Sequence, residues 1–143
     1  MKEFDFDAVP YNWAICFNND CPLAEQCQRK LAGDHTPASL KVTTCVTPRA
    51  LKDGKCSEFF PIKVVTMACG FSQIFQPVLK LHFTSMRKSM TEYLHGKKMY
   101  YEYRKGERLL NPKQQAWINR LFEQYGYATP VTFDGEKICY DFD

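Results

Sequence analysis

Apolar and polar positions along this chain follow two rhythms, and each rhythm predicts elements. Leu79, Phe83, Met86, Met90, Tyr93 and Leu94 recur at a helical spacing, while Lys80, Thr84, Arg87, Lys88 and Thr91 gather opposite them. That pattern predicts a helix over 77–95, ended by Gly96. Asn111 as N-cap and Pro112 in the first turn open a second helix to Tyr125. Trp117, Leu121 or Phe122, and Tyr125 should face inward there, with Gly126 closing. A shorter helix is expected over 20–33: Pro22 suits a first turn, and Leu23, Cys27 and Leu31 form an apolar stripe. Gly33 reads as its C-cap.

The second rhythm has period two. Residues 40–47 (LKVTTCVT) alternate and are β-branched, which predicts a strand. Residues 48–55 form a turn with Asp53-Gly54 at its tip, and 59–67 read as a second strand entered past Pro61. The stretch 99–110 (MYYEYRKGERLL) suggests a hairpin turning at Lys105-Gly106. The tail VTFDGEKICYDF suggests another around Asp134-Gly135. Residues 1–20 are aromatic-rich and irregular. No repeat, low-complexity tract or linker interrupts the chain. The expectation is one α+β domain over 1–143, with about three helices, short antiparallel strands and hairpins. Its cysteine-bearing part would be 1–58 and its helix-hairpin-helix-hairpin part 59–143.

Composition narrows the class. With 45% hydrophobic and 24% charged residues among 143, the chain is an ordinary globular sequence, not a disordered, collagenous or coiled-coil one. No apolar run approaches the roughly 18 residues of a membrane helix. The acidic opening MKEFDFDAVPYNWA lacks the apolar core of a signal peptide. A cytoplasmic protein without a membrane partner is expected. The net charge of +3 conceals an asymmetry: −4 over 1–27, +4 over 28–79, +7 over 80–120 and −4 over 121–143. A basic middle between acidic ends fits an anionic partner, but with pI ≈ 8.4 a solvated face pairing with the chain's own acidic ends is the simpler account.

Seven cysteines are the main candidate chemistry. An odd count without a secretory signal points away from a disulfide framework. Cys16, Cys21 and Cys27 stand at C-x4-C-x5-C, and Cys56 follows Cys27 by 29 residues in Gly-Lys-Cys-Ser. Four thiolates can close a tetrahedral zinc site or hold an iron–sulfur cluster, although neither common ferredoxin spacing fits. Within one ideal helix, Cys21 and Cys27 would lie about 9 Å apart along the axis and about 120° out of alignment. A shared metal, whose ligand sulfurs sit within about 5 Å of each other, therefore requires the helix to begin after Cys21. Pro22 allows that by pushing Cys21 toward extended backbone. Burial is the competing account: Cys27 continues the apolar stripe, and Cys16 sits in Ala14-Ile15-Cys16-Phe17. Cys69 reads as core, while Cys45 and Cys139 fall on polar phases and are expected to supply neither a ligand nor a disulfide.

A second constellation lies in the basic middle. Lys97, Lys98, Arg104, Lys105 and Arg108 interleave with Tyr100, Tyr101 and Tyr103, and Arg87 with Lys88 extends the track. Tyrosines can stack on unpaired bases while cations neutralise phosphates, so nucleic acid is the most concrete candidate partner. An acidic protein is the other, and tyrosines packing across a hairpin the simplest alternative. Catalytic signatures are missing: His35, His82 and His95 are scattered, and no nucleophile elbow or phosphate loop appears. The residues leave a non-enzymatic binding module as the leading reading, and the preference for a zinc staple in it comes only with the resemblance described next. An iron–sulfur or thiol-redox protein and a metal-free adaptor are the alternatives.

Three groups of residues together carry a resemblance. Tyr11, Cys16, Cys21, Pro22 and Cys27 form a Tyr-x4-Cys-x4-Cys-Pro-x4-Cys opening. Cys56 and Phe59 fit a later Cys-Pro-x-Phe only in part, because Ser57 stands at the proline position. Tyr100, Tyr101, Arg104, Gly106, Glu107, Arg108 and Leu109, followed by Pro112 and Gln115, complete the pattern. In these features the chain resembles an uncharacterised family of short cysteine-containing proteins from gut anaerobic bacteria, a domain of unknown function. The resemblance implies no activity. It implies that Cys16, Cys21, Cys27 and Cys56 belong to one functional set.

Overall fold

The computed structural model describes residues 3–143. It is an α+β fold with four α-helices among the described residues: α1 (Gln28–Asp34), α2 (Lys80–Tyr93), α3 (Lys97–Lys105) and α4 (Pro112–Gln124). Two small sheets accompany them, β1 (Leu51–Lys52) with β2 (Lys55–Cys56), and β3 (Val64–Cys69) with β4 (Gly135–Tyr140). The chain packs as two compact units, one running to Val64 and including Tyr140–Asp143, the other Val65–Cys139.

In the first unit Phe4, Ile15 and Ala32 are buried, with Phe6, Val9, Trp13, Leu31, Tyr140 and Phe142 packed around them. Helix α1 is short and begins at Gln28, one residue past Cys27, which is its N-cap. The helix expected from residue 20 is replaced up to that point by turns and one 3₁₀ turn, Ala24–Gln26. The cause is long-range pairing. An antiparallel bridge joins Cys27 to Pro61, flanked by Gln28 N–H donating to Phe60 O at 2.7 Å and Ile62 N–H to Gln26 O at 3.1 Å. Gln28 is fully buried, and its side chain accepts from Lys63 N at 3.0 Å and donates to Asp141 O at 2.7 Å. Every polar atom of that side chain is thereby satisfied against backbone, as a buried amide requires.

The predicted strand over 40–47 does not form as such. Its contact is a single parallel bridge from Cys45 to Ile15, with Ile15 N–H donating to Thr44 O and Val46 N–H to Ile15 O. Without a longer partner, alternation alone builds no ladder. The β1–β2 hairpin does turn at Asp53-Gly54, whose φ values of 54° and 76° are the pair of positive angles that a two-residue hairpin turn favours.

In the second unit α2, α3 and α4 surround a core that includes Phe71, Met86, Met90, Tyr100, Ile118 and Phe122. Leu79 and Phe83, expected inward on α2, are exposed, and the buried positions are Met86, Met90 and Leu94. On α4, Asn111 and Gln114 form a reciprocal capping box, and Ile118, Leu121 and Phe122 are buried. The predicted hairpin over 99–110 is instead the helix α3, and only Leu110 pairs in a bridge, to Ala68. The predicted tail hairpin is also absent. Residues from Gly135 pair with β3, where Asp134 N–H donates to Gly70 O at 2.9 Å. Among the described residues no helix is long and apolar enough to cross a membrane.

Candidate metal centre

Cys16 leaves the Ile15 bridge with its N–H donating to Arg29 O of α1 at 2.9 Å. The contact is close because Gly33, inside α1 rather than at its C-cap, faces the Cys16 backbone: a Cβ at residue 33 would stand 1.9 Å from Cys16 O. Cys21 and Cys56 occupy matching turns. Leu23 N–H donates to Cys21 Sγ and Glu58 N–H to Cys56 Sγ, each at 3.4 Å. The backbone repeats the match, with Ala24 N–H donating to Cys21 O at 3.1 Å and Phe59 N–H to Cys56 O at 3.2 Å. Two turns of one shape thus aim two sulfurs from segments far apart in sequence. Cys27 is buried at the start of α1.

These four cysteines, from the segment after the Ile15 bridge, a turn, a helix N-cap and a hairpin, are among the residues lining one pocket of about 20 Å³, together with Arg29 and Lys30. That volume holds one atom-sized guest, not a molecule. All seven cysteines are free thiols. Among the described residues no group of three or more His, Cys, Asp or Glu side chains stands in an arrangement that could already hold a metal ion.

Arg29 is the residue that sequence reasoning missed. Its Nη1 donates to Ala14 O at 2.7 Å and its Nε to Glu58 O at 2.8 Å, and its guanidinium lies over Trp13 at 4.5 Å from the ring centre. One side chain on α1 therefore ties the Cys16 segment to the Cys56 segment beside Cys27. A planar, forked donor does this where lysine could not. An arginine on a predicted helix surface gives no sequence signal of such a role.

The basic track divides differently from the expectation. Arg87 donates to Tyr101 Oη and lies near both the Tyr100 and Tyr101 rings, while Arg108 pairs with Glu102. Tyr103 Oη accepts from Gln114 at 3.3 Å, and Tyr101 and Tyr103 pack against the second core. Arg104 is half-buried. Lys88, Lys97, Lys98 and Lys105 are exposed. The arginine beside Glu102 holds its carboxyl below the usual range, chiefly by hydrogen bonding, whereas burial pushes the Tyr100 phenol up.

The sequence profile of a family of unknown function, DUF6078, matches residues 1–142, and the chain belongs to that family. No curated protein and no solved structure matches the chain.

Proposed function

We propose, for a chain whose family carries no assigned activity, that it is a metal-stapled binding module with zinc held by Cys16, Cys21, Cys27 and Cys56. The observation supporting this is that four cysteines spread from residue 16 to residue 56 are among the residues lining a single atom-sized pocket. A site made of thiolates alone suits a structural tetrahedral ion, which draws its ligands in on binding and contributes that energy to folding. The matching N–H donors to Cys21 and Cys56 would help bound sulfur carry charge, and Arg29 and Lys30 at the pocket offset the net negative charge of four thiolates around a divalent ion.

The test is elemental analysis with an absorbance spectrum on protein purified without oxygen. One zinc per chain without colour, and loss of that zinc in Cys21→Ser, supports the reading. Iron with sulfide would replace it by the redox alternative. Absence of metal, with stability indifferent to a chelator, would overturn it and return the thiols to packing.

The binding face of this module would be the exposed lysines Lys88, Lys97, Lys98 and Lys105, with an anionic partner of which nucleic acid is the leading candidate. The tyrosines are engaged in packing, so contact would be to phosphates and not by base stacking. Binding to single-stranded RNA or DNA should weaken steeply with added salt and on replacing these lysines together. No binding at low ionic strength would rule nucleic acid out.

A further inference from the structure

The segment 40–47, whose alternation reads as a strand, pairs on one side only. There Thr44 O and Val46 N–H bond to Ile15, and the next residue, Cys16, bonds in turn to Arg29 O of α1. Along a strand the backbone groups of successive residues point to alternate sides, so Thr43 and Cys45 aim theirs away from Ile15. Among the described residues the N–H and C=O groups of Lys41, Val42, Thr43 and Cys45 take part in no hydrogen bond. Thr43, Thr44 and Cys45 are exposed, and Val42 is 88% exposed. An open edge of this kind, rich in β-branched residues, is a template for a further strand.

We propose that this further strand is the same segment of a second copy of the chain, running antiparallel across a two-fold axis at Thr44. The sequence selects the occupant: Val42-Thr43-Thr44-Cys45-Val46 reads nearly the same in both directions. Pairing about Thr44 makes Thr43 and the partner's Cys45 a hydrogen-bonded pair, through the N–H and C=O groups that nothing else uses. It makes Thr44 and the partner's Thr44 the closer, non-hydrogen-bonded pair. It also sets Val42 against the partner's Val46, so an aliphatic side chain standing in water gains a β-branched neighbour on each side of the axis. A two-fold at Thr43 or Cys45 would keep the backbone bonds but set Val42 against Thr44 or Pro48 instead. Lys41 and Pro48 bound the run with a charge and a residue lacking an N–H, which stop the edge from pairing further. Each edge is used once, so the assembly closes as a dimer. Two edges this short bury less than the roughly 1,600 Å² of a standard interface, so the dimer is weak and reversible. None of this depends on the metal centre.

Sedimentation equilibrium of the full chain under reducing conditions, at concentrations up to about 1 mM, tests the association, and a reversible monomer–dimer equilibrium is expected. Val42→Lys puts a charge on the edge opposite the partner's Val46 and should weaken dimerisation about tenfold. It should leave the thermal midpoint of the dilute chain unchanged, because residue 42 is solvated in the monomer. A cross-link reads the axis. In Thr44→Cys/Cys45→Ser the two sulfurs at residue 44 face each other with Cα atoms about 4.5 Å apart, within disulfide reach, so mild oxidation should give a covalent dimer. Cys45→Ser alone, and Thr43→Cys/Cys45→Ser with its new sulfurs offset along the strands, should not. A chain that stays monomeric to that concentration, a dimer indifferent to Val42→Lys, or cross-linking at residue 43 in preference to 44 would overturn the proposal.

Discussion

Gly33 shows how much can depend on a missing methyl group. Its hypothetical Cβ would overlap Cys16 O and C at 1.9 and 2.8 Å, and both are backbone atoms that cannot rotate away. Gly33→Ala should therefore push α1 off the Cys16 segment, costing about 1–3 kcal/mol or more, since overpacking against backbone has no cheap relief. Thermal unfolding of the variant measures the cost, and an unchanged midpoint would show that α1 can shift freely. Tyr100 gives a pH-dependent case. Burial raises its folded pKa above the ordinary value of 10.0 against the opposing pull of Arg87 and Arg104. A raised folded pKa contributes stability that is fully present below the unfolded value and lost as pH rises through the folded one. Unfolding free energy should thus decline above about pH 10, and Tyr100→Phe should flatten that decline in a denaturant titration repeated across alkaline pH. At this scale the sequence exposed the cysteines, whose spacing is visible in one dimension. Arg29 and Gly33 were invisible, because a forked donor bond and a backbone approach exist only once residues 14, 16 and 58 come to α1.

Elements were legible where local signals were complete. Asn111, Pro112 and Gln114 specify the start of α4 within four residues, and the structure builds a capping box from them. α3 was misread because Met99, Tyr101 and Tyr103 alternate, and a run of nine residues is too short for periodicity to separate helix from strand. What decides it is the turn before it. Gly96 N–H donates to Thr91 O at 2.8 Å and His95 N–H to Glu92 O at 3.2 Å, closing α2 in the pattern of a Schellman cap. Tyr100 N–H then donates to Gly96 O at 2.9 Å, so α3 begins directly. His95 holds the left-handed position of this cap with φ 68°, a conformation that costs a residue with a Cβ about 1 kcal/mol. His95→Gly should raise stability by about that much, less the extra entropy glycine brings to the unfolded chain. Chemical denaturation reads the difference, and a destabilised variant would mean that the His95 side chain makes a compensating contact.

The two units differ in what holds them. The second buries eleven residues in one cluster, from Ala68 to Phe122, and three helices of nine to fourteen residues supply most of them. Among the described residues the first has three in its buried cluster, Phe4, Ile15 and Ala32, and its regular structure is limited to short helical turns, isolated bridges, one seven-residue helix and two-residue strands. So small a core supplies little stability by itself, and chains in that position commonly rely on a staple. The division could not be read from composition, because aromatic residues are plentiful in both units; what separates them is whether helices gather those residues into one cluster. If the four-cysteine centre is the staple, removing its metal should loosen only the first unit. Hydrogen exchange read by mass spectrometry, with and without a chelator, checks this segment by segment. Amides of α1, of the Cys16 segment and of the Cys21 and Cys56 turns should lose protection when metal is withdrawn, while α2 and α4 keep theirs. Equal protection of α1 in both states would mean that its bonds to Phe60 and Cys16 and the buried Gln28 suffice to hold the first unit. Loss of protection in both units together would mean that the second core, for all its buried side chains, is not an independent folding unit.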